Sequence, residues 1–261
     1  MSFFEAKNLT AGYAGKKIVH NLSFSVEQGH LTGVLGANGS GKTTLLKAVC
    51  GILTHSGRCV LDGTELESLS TRQLAAVCSY IPQRSGISID VSALDMVLMG
   101  FNPRLGLLEH PSHAMKKRAR DALTQVGLAG RENDNYQALS EGQKQLCILA
   151  RTIVADGKLL LLDEPESALD VRFRYEMLHH IRSWLAEGER SGIVTLHDPT
   201  LALNFCDELL VLERGQQIGM IRPRGDSIEA MEAILGKIYG DISLLRCRTH
   251  SGREQLVMLK E

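Results

Sequence analysis

The stretch Gly36-Ala37-Asn38-Gly39-Ser40-Gly41-Lys42-Thr43-Thr44 has the residue types and spacing of a phosphate cradle, G-x-x-x-x-G-K-[ST]. Polyphosphate is densely charged and needs several donors held close together. Gly36, Gly39 and Gly41 supply that closeness, because backbone without a Cβ can turn successive N–H groups inward at the positive end of a following helix. Lys42 adds a full charge for the β- and γ-phosphates, and the Thr43 hydroxyl is placed to ligate Mg²⁺. Asn38, Ser40 and Thr44 complete the cradle.

Other candidates for chemistry lie downstream. Leu159-Leu160-Leu161-Leu162 runs into Asp163-Glu164-Pro165, which sets two carboxylates at the carboxyl end of a buried strand, where ligands bind in doubly wound sheets. Successive strand side chains alternate faces, so the two acids have different jobs: one for the Mg²⁺ shell, the other for the water that attacks the γ-phosphate. His197 ends a further strand, Gly192 to Leu196, and can point at the γ-phosphate if that strand joins the same sheet. Leu139-Ser140-Glu141-Gly142-Gln143 opens a helix with a capping-box spacing between Ser140 and Gln143, and its glycine and bare N–H groups offer a second anion site. Tyr13, in the first turn, either stacks on an adenine base or is a half-buried turn residue.

These residues need a scaffold. The apolar run Leu31 to Leu35 and the helical run from Thr44 to Val49 flank the cradle as strand and helix. From Phe3 to Val26 the pattern is strand-like, with turn residues at Gly12 and Gly15, and reads as a small antiparallel sheet. Strands are also expected at Gly57 to Leu61 and Cys78 to Ile81, with a helical stretch from Thr71 to Ala76 between them. From about residue 88 to 155 the character is helical: Ala93 to Met99, Ala114 to Val126, and Gln143 to Val154. This reads as an inserted helical subdomain, with Lys116, Lys117, Arg118 and Arg120 on a solvated face. Val171 to Ala186 forms an amphipathic helix, two strands flank Gly215, and Ile228 to Leu235 forms a short helix. The tail from Ile242 to Leu259 reads as a hairpin around Ser251-Gly252.

A chain of 261 residues with 44% hydrophobic content buries a substantial core. The formal charge of −1 lacks the basic excess expected of a nucleic-acid or membrane-surface protein. Cys50, Cys59, Cys78, Cys147, Cys206 and Cys247 show no C-x-x-C spacing, the pattern of reduced thiols. No leader is expected, and no apolar stretch reaches the roughly 18 residues that a spanning helix needs.

Taken together, the motifs resemble the nucleotide-binding subunit of ATP-binding cassette (ABC) transporters, from about Phe4 to Leu235. Gly36 to Thr43 is similar to the Walker A loop, Leu159 to Glu164 to the Walker B strand, Gln83 to the Q-loop and Leu139 to Gln143 to the signature. Ser167 to Asp170 resembles the D-loop, His197 the switch histidine and Tyr13 the adenine-stacking aromatic. Two positions depart from the pattern: Glu141 stands where glycine is frequent in the signature, and Glu166 replaces a common threonine.

The resemblance implies an α/β fold: a P-loop NTPase core with an N-terminal antiparallel β-subdomain and the helical insertion. The nucleotide-binding domain would span residues 1–240, and 241–261 would be an extension. It implies Glu164 as general base, His197 on the γ-phosphate, Thr43, Gln83 and Asp163 around Mg²⁺, and ATP gripped by the cradle of one copy and Ser140, Gly142 and Gln143 of another, with Asp170 nearby. A homodimer on the cytoplasmic face of the membrane is expected, with two transmembrane permease subunits, an extracytoplasmic substrate-binding protein and no nucleic acid. The stretch from Pro82 to Val91 and Met96 to Arg104 resembles the subgroup serving iron-siderophore, haem and cobalamin importers; zinc, manganese or molybdate importers are the alternative. A soluble ABC ATPase acting on DNA or ribosomes is a weaker fit, because the chain has one cassette and no room for a long coiled coil between Gln83 and Leu139.

Overall fold

The computed structural model describes residues 2–83, 86–106, 108–166 and 169–261. Its centre is a six-stranded sheet in the order β10-β9-β3-β8-β7-β6. The strands are β3 (Leu31–Leu35), β6 (Cys78–Ile81), β7 (Leu159–Asp163), β8 (Ser191–Thr195), β9 (Glu208–Glu213) and β10 (Gln216–Ile221). All pairings are parallel except β9 with β10 at one edge.

Every residue of β3, β7 and β8 is buried. The four leucines of β7 show why: Leu160 and Leu162 enter one core, Leu159 and Leu161 the other. Alternation sends an uninterrupted apolar run to both faces of the sheet. Burying each of these side chains contributes roughly 1.5–3 kcal/mol.

One core is shared with the four-stranded sheet β2-β1-β4-β5 and helix α1. Here β1 is Phe4–Tyr13, β2 Lys16–Val26, β4 His55–Leu61, β5 Thr64–Glu65 and α1 Lys42–Val49. All three pairings are antiparallel. Gly12 lies within β1, paired with Lys17, while Ala14 and Gly15 make the hairpin turn with φ of 48° and 80°. The short α2 (Thr71–Val77) carries a complete capping box at Ser70 and Gln73.

The other core takes the helices α3 (Ala93–Leu98), α4 (His113–Gln125) and α5 (Glu141–Ala155), together with α6 (Val171–Ala186), α7 (Pro199–Phe205) and α8 (Ile228–Tyr239). Strands β11 (Ile242–Arg248) and β12 (Glu254–Lys260) form the C-terminal hairpin. The cluster on α4 is solvent-facing: Lys117 pairs with Asp121, and Arg118 lies over the Phe101 ring at 5.5 Å. Helix α7 is absent from the sequence-based expectation. It has only seven residues, but Asp198 caps it through the Thr200 and Leu201 N–H groups and Pro199 starts it, a start signal legible in the Asp-Pro pair.

The turn between β9 and β10 fixes the phosphate loop. The Gly215 N–H donates to the Ser40 carbonyl at 2.9 Å, and its carbonyl accepts from the His20 N–H at 2.8 Å. Gly215 has φ +78°, and a Cβ there would meet the Ile18 carbonyl oxygen at 1.8 Å. Gly215→Ala is therefore expected to lower the unfolding free energy by about 3 kcal/mol and to weaken nucleotide binding, because the backbone must shift at the loop's anchor. Denaturant unfolding with a fluorescent ATP analogue titration checks both effects; wild-type values would contradict the anchor.

Candidate functional site

Strands β3, β8, β7 and β6 run parallel and adjacent, so their carboxyl ends open on one edge of the sheet. Gly36 follows β3, Asp163 ends β7, Thr195 ends β8 with His197 two residues on, and Gln83 lies two residues beyond β6. Four distant stretches of sequence thereby meet at one crevice.

The phosphate loop enters α1 through Gly41, whose φ of 104° and ψ of 5° need glycine. No side chain caps this helix, so its first-turn N–H groups are left for another acceptor. Ala37, Asn38 and Gly39 are exposed at the rim, whereas Ser40, Lys42 and Thr44 are buried. The Ser40 hydroxyl is buried without a hydrogen-bond partner, as suits a donor waiting for a ligand oxygen. The Lys42 ammonium donates to the Gly36 carbonyl at 2.9 Å and lies 3.7 Å from Glu164 Oε1. It is only 5% exposed; a cation this enclosed needs partners, and the loop's own carbonyls supply them.

Asp163 and Glu164 separate as the sequence requires, by a sharper device than strand alternation. Strand β7 stops at Asp163, and Glu164 takes φ +49°. The Glu164 N–H is held by the Thr195 hydroxyl at 2.8 Å. A left-handed glutamate is uncommon and costs roughly 1 kcal/mol or more; here it throws the carboxylate across the crevice. Its Oε2 accepts from the Gln83 amide at 2.7 Å and lies 2.7 Å from His197 Nε2. Asp163 faces the other way: Oδ1 accepts from the Thr43 and Thr195 hydroxyls, both at 3.0 Å, and Oδ2 from the Tyr80 hydroxyl at 3.2 Å. Burial, then the nearby Asp163 carboxylate, push the Tyr80 phenol up, which keeps it a donor.

Thr195, Tyr80 and Glu166 also bond to this cluster and are not among the residues expected from sequence. For Thr195 a polar residue closing an apolar strand was the available signal; nothing local marks Tyr80. Glu166 stands where the family pattern has threonine, and its use is visible only in three dimensions. It is 2% exposed, and its Oε1 accepts from the His197 N–H at 2.9 Å while Oε2 has no partner. Burial pushes its carboxyl above the ordinary carboxylate range. The folded state then binds a proton that the unfolded chain releases, so stability falls as pH rises from that ordinary range through the raised folded value. Glu166→Gln keeps an oxygen for the His197 N–H and removes the charge. It is expected to raise Tm by about 2–4 °C at pH 8 and by less at pH 5; thermal melts at the two pH values check this, and a larger gain at pH 5 would contradict it.

The remaining predicted residues lie apart from this cluster or have other bonds. Tyr13 is 45% exposed at the end of β1, so its ring is accessible for stacking. Ser140 and Gln143 form a complete capping box: the Ser140 hydroxyl accepts from the Gln143 N–H at 3.3 Å, and Gln143 Oε1 accepts from the Ser140 N–H at 3.0 Å. Among the described residues no hydrogen bond or ion pair joins this segment to the phosphate loop. Glu141 pairs with Lys144 one turn on at 2.9 Å, which offsets its charge. Gly142 packs so closely that a Cβ would lie 3.1 Å from the Phe173 ring. Asp170 caps α6, accepting from the Phe173 N–H at 3.0 Å; Ser167 and Ala168, earlier in the same motif, lie outside the described residues.

This arrangement has known counterparts. The family model described as ABC transporter matches residues 19–167. The hemin import ATP-binding protein HmuV of Bordetella pertussis is 37% identical over 245 residues, covering 90% of this chain and 91% of the relative. A metal-chelate type ABC transporter solved in an inward-facing conformation superposes with a TM-score of 0.82 at 24% identity, covering 99% of this chain and 98% of that one. An ATP-binding cassette solved as a dimer in a post-hydrolysis state with ADP and Pi gives a TM-score of 0.74 at 22% identity over 85% of this chain and 100% of that one. The family match spans more than half of the sequence and the relative is followed almost end to end, so the chain belongs to the ABC transporter family, as an ATP-binding subunit that hydrolyses ATP.

Proposed function

We propose that this chain drives an importer for an iron chelate of the haem or siderophore class, working as a homodimer beneath two permease subunits at the cytoplasmic face of the membrane. One observation carries the mechanism: Glu164 is clasped by Gln83 and His197 and faces Lys42, at the mouth of the phosphate loop. A carboxylate so placed can take the proton of a water attacking the γ-phosphate. His197 and Lys42 are the charged or polar donors that turn to that phosphate as it enters, releasing their hold on Glu164.

The oxygen donors fit Mg²⁺. The Thr43 hydroxyl and the Asp163 carboxylate lie together at 3.0 Å, and Gln83, whose amide nitrogen goes to Glu164, keeps its carbonyl oxygen for a ligand. Bound there, the ion would neutralise charge on the β- and γ-phosphate oxygens. Thr195 and Tyr80 hold the carboxylate of Asp163 in its orientation.

The dimer follows from what is left over. The Ser140 to Gln143 helix start has free first-turn N–H donors but, among the described residues, no bond to the loop of its own copy, which leaves it to serve the loop of a second copy. The dimeric state of the ADP- and Pi-bound cassette supports this reading. ATP then closes two copies and hydrolysis removes the bridge. Among the described residues no helix is long and apolar enough to cross a membrane, and the transport path is assigned to the permease subunits.

The cargo reading rests on the HmuV relative and the metal-chelate type neighbour. The test is reconstitution with the co-purified permease and its extracytoplasmic binding protein, measuring ATP hydrolysis with haem, a ferric siderophore, cobalamin, zinc, manganese or molybdate. Stimulation of several-fold by an iron chelate is expected. Stimulation by zinc, manganese or molybdate alone would overturn the cargo, and failure to recover any membrane partner would overturn the importer.

A further inference from the structure

A cavity of about 620 Å³ lies between the C-terminal hairpin and the core, away from the nucleotide site. Arg182 of α6, Arg224 after β10, Arg246 of β11 and Arg253 before β12 all line it, with His179. Four guanidinium groups around one concavity repel each other unless anions offset them.

The neighbouring acids offset only part of that charge. Asp207 takes Arg182 in a two-point ion pair, with Nη2 to Oδ1 at 3.2 Å, and also accepts from the Leu31 N–H at 2.8 Å. Arg224 reaches Asp207 only at 3.8 Å and its side chain is 78% exposed. Glu254, also on the wall, is engaged by Arg248 at 3.1 Å. Among the described residues the Arg246 and Arg253 guanidiniums have neither an ion pair nor a hydrogen bond. Two or three forked donors thus line a cavity whose acids, Glu254 and the nearby Asp207, are engaged by Arg248 and Arg182.

The walls are fixed in place. Asn204 of α7 donates to the Leu256 carbonyl at 2.7 Å and accepts from the Leu256 N–H at 2.9 Å, and the Met258 N–H donates to the Thr200 hydroxyl at 3.2 Å. These bonds hold β12 along α7, so the walls stand before any ligand arrives, and binding has only the exposed arginine side chains to order. Its volume is within the range of small-molecule sites.

We propose that this cavity binds a small anion carrying two or more phosphate or carboxylate groups, gripped by Arg246 and Arg253 from the hairpin and by Arg224 from the core. Arginine forks match such groups two bonds at a time. The cavity is separate from the nucleotide, and the inference does not depend on which cargo the transporter carries.

The probe is fructose 1,6-bisphosphate, titrated calorimetrically into the full chain saturated with ADP and Mg²⁺, with glucose as the uncharged control. Binding with Kd below about 1 mM is expected for the wild type, weakening at higher salt and falling at least about 10-fold in Arg246→Ala/Arg253→Ala. Basal ATP hydrolysis of that variant, unchanged from wild type, shows that it is folded. No binding up to about 10 mM, binding of glucose with the same affinity, or equal affinity in wild type and variant would overturn the site. The same phosphate chemistry is carried by lipid headgroups: sedimentation with phosphatidylglycerol vesicles, lost in the variant while the bisphosphate gives no heat, would overturn the free-ligand form.

Discussion

Glu164→Gln is expected to lower ATP turnover by at least about 1,000-fold while leaving ATP affinity within a few-fold of wild type. The substitution keeps the size of the side chain and an oxygen that can still accept from Gln83 or His197, both 2.7 Å from Oε2. What it removes is the capacity to take a proton from water. Among the described residues its one ion pair or hydrogen bond to the phosphate loop is with Lys42 at 3.7 Å, so the cradle keeps its shape and its donors. Single-turnover hydrolysis and equilibrium nucleotide binding, measured on the same preparation, separate the two effects. Turnover at the wild-type rate would remove Glu164 from the role of base; a matching loss of affinity would make it a binding residue instead.

Lys42→Ala is expected to act on binding first. The ammonium is the one full positive charge enclosed by the loop, 5% exposed and held by the Gly36 carbonyl at 2.9 Å. Its loss removes a charge-assisted contact to phosphate, worth about 3 kcal/mol or about 100-fold in ATP affinity. It also leaves the buried Glu164 carboxylate facing the loop without a cation, which opposes the arrival of phosphate. Hydrolysis should then fall by about 1,000-fold or more, and saturating ATP should not restore it, because the same charge is needed as the γ-phosphate leaves. Titration with a fluorescent ATP analogue and steady-state rates at high ATP check the two parts. An affinity near wild type, or full recovery of rate at high ATP, would contradict the assignment.

Much of this site was legible in the sequence because its elements are locally over-determined. Four leucines ending at an acid pair read as a strand buried on both faces, and β7 sends those leucines alternately into two cores. The phosphate loop carries its own punctuation, strand before and helix after. Ser140 and Gln143 announce a helix start, and α5 opens there with both capping bonds made. The fold class follows from that order of elements, and the six-stranded sheet with its antiparallel subdomain agrees with it.

What remained hidden depends on residues that sequence does not bring together. Strand alternation alone would send Asp163 and Glu164 in opposite directions, yet their separation comes from a left-handed backbone at Glu164 pinned by Thr195 from the neighbouring strand. No property of Asp-Glu-Pro read alone specifies that conformation. Glu166 looks like a surface acid in a turn, but it is buried against the His197 N–H because β7 and β8 are adjacent. The C-terminal hairpin was legible as a hairpin, while its arginines acquire meaning only where they face Arg182 and Arg224 across a cavity. Gly12 misled in the opposite sense: glycine suggested a turn, yet it sits inside a strand where a Cβ would meet the Lys16 carbonyl oxygen at 1.9 Å.

The claim on which the account rests is that each copy of the chain holds half of an ATP site. A structure of Glu164→Gln trapped with ATP and Mg²⁺ tests it most directly, through the distance from the γ-phosphate above Lys42 of one copy to the partner subunit's Ser140. The expected result is a dimer with that hydroxyl or the adjoining helix N–H groups within hydrogen-bond reach, about 3 Å. A nucleotide-bound dimer in which the two stand about 10 Å or more apart, or a monomer that binds and hydrolyses ATP at the full rate, would contradict it.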